Sequence, residues 1–243
     1  MSWFAPIDLY CERTSAGFWA EPVNAFSNAA FLIAASAAYL LWRRGGGRDG
    51  PALALICIVA VVGIGSFLFH TFANRWSLLA DVLPITVFIY GYFVLAMRRF
   101  VGLGVPAALA ITGAFLAFNV PFETLWRLAL GPGAPTLNGS VGYLPPAAAL
   151  VAVGAFLSWR APRATFPGLD RLAARSLFGA AAVFALSLTF RTLDHAACAT
   201  IPIGTHFAWH GLNGLVLYLL VRGAIRHGTL RAPPLSHGER GRG

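Results

Sequence analysis

The sequence predicts an all-α membrane protein: a bundle of seven transmembrane helices, N-terminus outside and C-terminus inside. Three observations carry that prediction. Only 11% of the 243 residues are charged and 58% are hydrophobic, whereas a soluble domain carries about 25% charged residues. Seven apolar runs can be read along the chain, each near the ~20 residues that a helix needs to cross a bilayer. The basic residues, all of them arginine, fall mainly in the loops at one side of those runs.

The first run, 23–42, follows an acidic, proline-containing segment and ends at Arg43 and Arg44. It has no cleavage-site pattern, so it reads as a retained helix rather than a signal peptide. The second covers 51–71 and the third 77–97, which stops at Arg98 and Arg99. The fourth, 102–121, and fifth, 141–159, are rich in Gly, Ala and Pro and less sharply bounded. Glu123 is expected at the end of the fourth as an interfacial charge, and the loop 122–140 holds the turn formers Pro132, Pro135, Asn138 and Gly139. The sixth run is 172–192 and the seventh 202–222. No repeat is visible, so one membrane domain is expected over 1–228, followed by a polar, disordered tail over 229–243.

Orientation comes from the arginines. Arg43, Arg44, Arg48, Arg98, Arg99, Arg160, Arg163, Arg171, Arg222 and Arg226 share one side, against Arg13, Arg75, Arg127 and Arg191 on the other. The richer side is cytoplasmic, and an odd number of spans requires the ends to lie apart, as this reading has them. The net charge of +9 is therefore a topology signal. Nucleic-acid binding would need the charges gathered on one polar face, and no feature asks for an obligate protein partner.

Five polar residues interrupt the apolar runs at matched depth. Ser66 and His70 lie at the outer end of the second run, Asp81 near the outer start of the third, and His206 and His210 at the outer start of the seventh. Such groups are expensive in hydrocarbon and are usually functional. Ser66 and His70 are four apart, as are His206 and His210, which stacks each pair on one helix face. Two imidazoles at that spacing can share a metal ion. With His70 as third ligand and a fourth place open, the set is that of a catalytic zinc site. Zinc there makes water a nucleophile near neutral pH, Asp81 can take and return a proton, and Ser66 can donate to a developing oxyanion. The competing accounts are a hydrogen-bonded histidine pair, a small packing residue at Ser66 beside Gly63 and Gly65, and a proton or ion pathway through Asp81.

Outside the first run, Asp8, Glu12, Glu21 and Asn24 could offer hard oxygen ligands to calcium, although their spacing is not that of an EF-hand. A solvated acidic collar capping the first helix is the alternative. Asn24 and Asn28 are expected to hydrogen-bond between helices. Arg191 and Asp194 can pair with each other, and Asp194 or His195 can orient a ligand imidazole; His195 is also a rival ligand. Cys11 and Cys198 share the outer side, which permits a disulfide, while Cys57 is expected to pack as an apolar residue.

These pieces together resemble the alkaline ceramidase family, part of a wider group of seven-helix membrane hydrolases that includes the progestin and adiponectin receptors. The matching segments are Tyr10-Cys11-Glu12, the stretch from Glu21 to Asn28, the stretch from Gly63 to His70, Leu79 to Pro84, and His206 to His210. The resemblance implies zinc on His70, His206 and His210, with Ser66 and Asp81 beside it. It also implies cleavage of the ceramide amide to a fatty acid and a sphingoid base, a calcium site in the N-terminal segment, and a bridge from Cys11 to Cys198. Arg13 and Thr14 stand where the family's acidic cluster has an acid and an asparagine. Short loops match bacterial relatives, which implies an inner membrane with the site facing the periplasm, and a substrate that is ceramide or another long-chain lipid amide. The other classes kept open are a zinc-containing lipid receptor of the same fold and a proton or ion transporter.

Overall fold

The computed structural model describes residues 2–231. Its helices are α1 (Pro22–Ser27), α2 (Ala29–Arg44), α3 (Gly50–Phe72), α4 (Arg75–Ala96), α5 (Val105–Asn119), α6 (Phe122–Leu130), α7 (Leu144–Arg160), α8 (Pro167–Ala197) and α9 (His206–Arg231). Among the described residues there is no β-strand, only an isolated bridge between Pro6 and Asn74. Of the predicted tail, residues 229–231 continue α9; the rest lies outside the described residues.

Every predicted apolar run falls on a helical segment, but they are not alike. Five segments are long and apolar enough to cross a membrane: 22–44, 50–72, 75–101, 141–163 and 167–197. The fourth run is broken, because α5 and α6 meet at a bend of 45°, and the pair would make a sixth span. Pro121 precedes α6 and accounts for the break. Glu123 therefore opens α6 rather than closing the fourth run, and it pairs with Arg127 one turn on. The seventh run, α9, is not among those candidates. It carries His206, His210, Asn213, Arg222, Arg226 and His227, and its apolar face is spent inside the protein.

The helices pack in the order α5, α4, α3, α2, α9, α8, α7, each against the next, with α3 also touching α9. The order leaves α4 and α7 as facing walls of a cavity. One continuous core runs through the bundle, from Phe31 and Ile56 to Phe88, Leu177 and Val221. At the end away from the histidines two arginines latch the helices. Arg99 holds Asp49 at 2.7 and 2.8 Å, and Arg160 holds Asp170 at 2.8 Å through two nitrogens. Cys57 does not pack inside; it is exposed on α3, because its helix turns that side away from α2 and α4.

The turn between α3 and α4 sets the depth of the site. Ala73 ends α3 in the left-handed conformation (φ 39°), and Asn74 caps α4 by accepting from the Ser77 N–H while the Ser77 hydroxyl returns a bond to Asn74. The connection is only two residues long, so the helices run antiparallel. Ser66 lies seven residues before Ala73 and Asp81 seven after Asn74. At about 1.5 Å per residue, both stand ~10 Å from the turn. Gly65 allows the contact between them: a Cβ there would overlap the backbone carbonyl of Ala80.

Candidate metal centre

His70, His206 and His210 converge inside the bundle, and their candidate ligand atoms all lie within 4.8 Å of one another. Each is about 1% exposed. Among the described residues no other group of three His, Cys, Asp or Glu side chains meets in this way. Their environment passes a chemical test for a metal. His70 Nδ1 lies 2.6 Å from a carboxylate oxygen of Glu21, which leaves its Nε2 buried and without a partner. His210 Nδ1 lies 2.7 Å from the Ser27 hydroxyl. His206 Nδ1 is also buried without a partner. Orphaned buried polar atoms cost roughly 1–3 kcal/mol each, and two pointing into one cage are explained by an ion. Ligating imidazoles are commonly oriented through their other nitrogen in this way.

Different parts of the chain hold each ring. Asp194 is fully buried and accepts from the backbone N–H groups of Thr205 (2.7 Å) and His206 (3.0 Å), which starts α9 at the right place. Gly204 sits beneath it with φ +65°, where a side chain would strike the Asp194 carboxylate. Asp194 also accepts from Cys11 N–H at 3.1 Å, and Cys11 is bridged to Cys198 with a Cα separation of 5.4 Å. The N-terminal segment is thereby fixed over the cage, and Tyr10 stacks on His206 with ring centroids 3.6 Å apart. Burial pushes the Tyr10 phenol up to about 12, so it stays neutral.

These contacts revise three expectations. Asp194 does not pair with Arg191; its carboxylate is committed to backbone N–H groups, which it serves better because helix starts leave them unsatisfied. It orients the backbone of a ligand, not an imidazole. His195 is exposed at the end of α8 and outside the cage. Three residues that sequence reasoning gave no role also support the site: Ser27 on His210, Tyr10 on His206, and Arg13, which pairs with Glu21.

Glu12, Glu21 and Asn24 are linked by hydrogen bonds, and Asp8 stands apart from them. Asp8 is exposed. Glu12 caps α1, accepting from the N–H groups of Val23 at 2.7 Å and Asn24 at 2.8 Å. Asn24 donates to Glu21 at 3.2 Å and keeps a buried oxygen unpartnered; Asn28 donates to the Asn24 carbonyl at 2.8 Å, within one helical stretch rather than between helices. A cation already stands beside Glu21. Arg13 is 7% exposed, pairs with that carboxylate and donates to the carbonyl of His70 at 3.1 Å. Burial opposes ionisation of Glu21, but its bonds to His70 and Arg13 outweigh this and hold its pKa below the usual value.

Beside the cage lies a cavity of about 160 Å³. Its head is polar, with Ser66, Asp81, Tyr10 and Arg191 next to His206 and His210. Ser66 interacts with the Asp81 carboxylate, one oxygen of which is buried with no partner. Below that the lining is mostly apolar, interrupted by Tyr92 and Asn213, and α4 follows it from Asp81 to Ala96, ~22 Å of helix.

A buried histidine cage able to hold a metal ion, beside a largely apolar cavity in a bundle of helices long and apolar enough to span a membrane, defines the class: an integral membrane protein with a candidate metal centre. The ceramidase family model matches residues 7–226, and the chain belongs to that family. No curated protein matches it. Membership points to a hydrolase acting on lipid amide bonds within the membrane.

Proposed function

We propose that this chain is a zinc-dependent integral-membrane amidase that cleaves ceramide or a related long-chain lipid amide to a fatty acid and a sphingoid base or other amine. One observation carries the reading: the three-histidine cage shares a cavity with Ser66 and Asp81, whose carboxylate keeps a buried oxygen free. Three neutral nitrogen donors suit zinc, whereas calcium prefers oxygen ligands. Bound zinc supplies a Lewis acid that makes water nucleophilic near neutral pH.

The remaining work falls to the chain's own side chains. The apolar channel along α4 takes an acyl chain and places the amide carbonyl at the polar head. Asp81 accepts a proton at its free oxygen and returns it to the departing nitrogen. The Ser66 hydroxyl donates to the carbonyl oxygen as negative charge grows on it. Glu21 and Ser27 hold the tautomers of His70 and His210, and the apolar wall excludes bulk water. In the N-terminal segment no calcium is assigned. The Glu12 and Glu21 carboxylates there are engaged by backbone and side-chain donors, and Arg13 provides a positive charge beside Glu21, although the Asn24 side-chain oxygen stays without a partner.

The membrane arrangement belongs to the same proposal. The α1–α2, α3, α4, α5–α6, α7, α8 and α9 segments make seven passes, with the cage end facing an oxidising outer compartment, which in a bacterium is the periplasm. The arginine distribution and the Cys11–Cys198 bridge support that orientation. A receptor with a structural metal would need neither Ser66 nor Asp81. A transporter would need acids through the full depth, whereas Asp49 and Asp170 sit at the far end, each paired with an arginine. Incubating purified protein with a mixed membrane lipid extract, with and without a zinc chelator, tests the reading. Mass analysis should find fatty acids and amines released only without chelator; release that is absent, or equal in both, overturns it.

A further inference from the structure

Arg191 is the one charged group at the head of the cavity that the proposed hydrolysis does not use. It lies on α8, one turn before Asp194. Its guanidinium carbon stands 5.2 Å from the ring centroid of Trp209, 5.6 Å from Tyr143 and 6.0 Å from Tyr10. Nη1 donates to the Tyr10 hydroxyl at 3.0 Å. Among the described residues no carboxylate lies within ion-pair distance of it, and its Nε is buried with no partner. The two latching arginines at the far end, Arg99 and Arg160, each hold an aspartate.

A guanidinium walled by aromatic rings inside a membrane protein is poorly hydrated, and intramembrane charges are normally paired. Aromatic faces stabilise it partly, but they do not accept from Nε. Its planar fork matches a carboxylate. We infer that Arg191 forms a carboxylate-binding subsite of the cavity, on the reading of the cavity as an amidase site given above. Two sources offer that group there: an acidic substituent on the amine half of the substrate, and the fatty acid released by hydrolysis. With a neutral lipid amide bound, the nearest carboxylate is that of Asp81 across the cavity head, which makes no direct ion pair with the guanidinium.

The experiment measures equilibrium binding of three ligands to purified full-length protein in detergent. They are N-oleoylglycine, its neutral counterpart N-oleoylethanolamine, and oleate. Wild type should bind at least one of the two carboxylates about 10- to 100-fold more tightly than the neutral amide, the range of a charge-assisted hydrogen bond. Preference for N-oleoylglycine places the anion on the substrate; preference for oleate alone makes the subsite a product site. Arg191→Gln should abolish the preference and Arg191→Lys keep part of it, both with the metal content of wild type. The metal can itself attract carboxylates, so the decisive quantity is the difference in preference between variant and wild type at equal metal content. Equal binding of all three ligands by wild type, or an undiminished preference in Arg191→Gln, overturns the inference. Should Arg191→Gln fail to fold, Arg191→Lys decides: its preference should fall measurably below that of wild type at equal metal content, and an unchanged preference overturns the inference. Binding needs no turnover: a carboxylate preference without cleavage of any amide would sink the hydrolase reading alone, and cleavage without preference would sink this one alone.

Discussion

Replacing Glu21 by Gln asks whether the metal cage is held from outside. Glu21 is 2% exposed, with one oxygen 2.6 Å from His70 Nδ1 and the other paired with Arg13. Gln keeps the volume and one acceptor but removes the charge. Losing the outer partner of a ligating imidazole weakens metal binding by about 10- to 100-fold, or ~1.4–2.8 kcal/mol. A second cost falls on folding. Leaving one partner of a buried ion pair alone costs about 3–5 kcal/mol, but here the Arg13 guanidinium still donates to the carbonyls of Ser15, Gly17 and His70. With the glutamine oxygen also available, the loss should come to ~1–3 kcal/mol, that of a charged hydrogen bond. Zinc affinity would be read by competition with a chromophoric chelator in detergent, and stability by thermal unfolding with and without added calcium. A folded Glu21→Gln protein with wild-type zinc affinity would refute the role given to Glu21. A wild-type unfolding temperature that rises with calcium would refute Arg13 as the resident cation.

His206→Ala and His210→Ala should each reduce bound zinc, measured by elemental analysis, from about one ion to a small fraction; normal content in both would sink the ligand assignment. Asp81→Asn should keep zinc and lower kcat by about 10²- to 10⁴-fold, the usual contribution of general acid–base catalysis, and a fully active variant would exclude proton transfer there. Gly65→Ala should cost ~1–3 kcal/mol or more by forcing α3 from α4, with activity falling further than stability because Ser66 and Asp81 separate; wild-type stability would contradict the close backbone approach.

The cage was legible because helical spacing is local information. Ser66 with His70, and His206 with His210, each declare a shared face within five residues, and the arginine pattern put their helices at one depth. What supports the cage was not legible. Ser27 meets His210 and Tyr10 meets His206 across nearly the whole chain, and no periodicity records such contacts. Nor were the contacts of Glu21, because in sequence a carboxylate in an acidic segment looks the same whether its partner is an ion, a histidine or an arginine. Arg191 and Asp194, three apart on one helix, suggested a pair, yet the start of α9 competes for that aspartate and wins it with two N–H donors. The helix count was blurred for a physical reason too. An element packed among other helices can carry more polar residues than a lipid-facing one, as α9 does, and proline can break an apolar run in two, as between α5 and α6.

The bond from Cys11 to Cys198 closes over 187 residues, and two of the three cage histidines come later still. During synthesis the leading segment therefore has no tether until α8 has emerged. The joined sulfurs and the Asp194 carboxylate seated on the first N–H groups of α9 tie down the same corner of the molecule. A nascent chain carries no finished metal trap until α9 brings His206 and His210, and on the proposed orientation a polypeptide inserted upside down would meet a reducing compartment that leaves the tether open. On the proposed orientation, a closed bridge marks the molecules inserted the right way round.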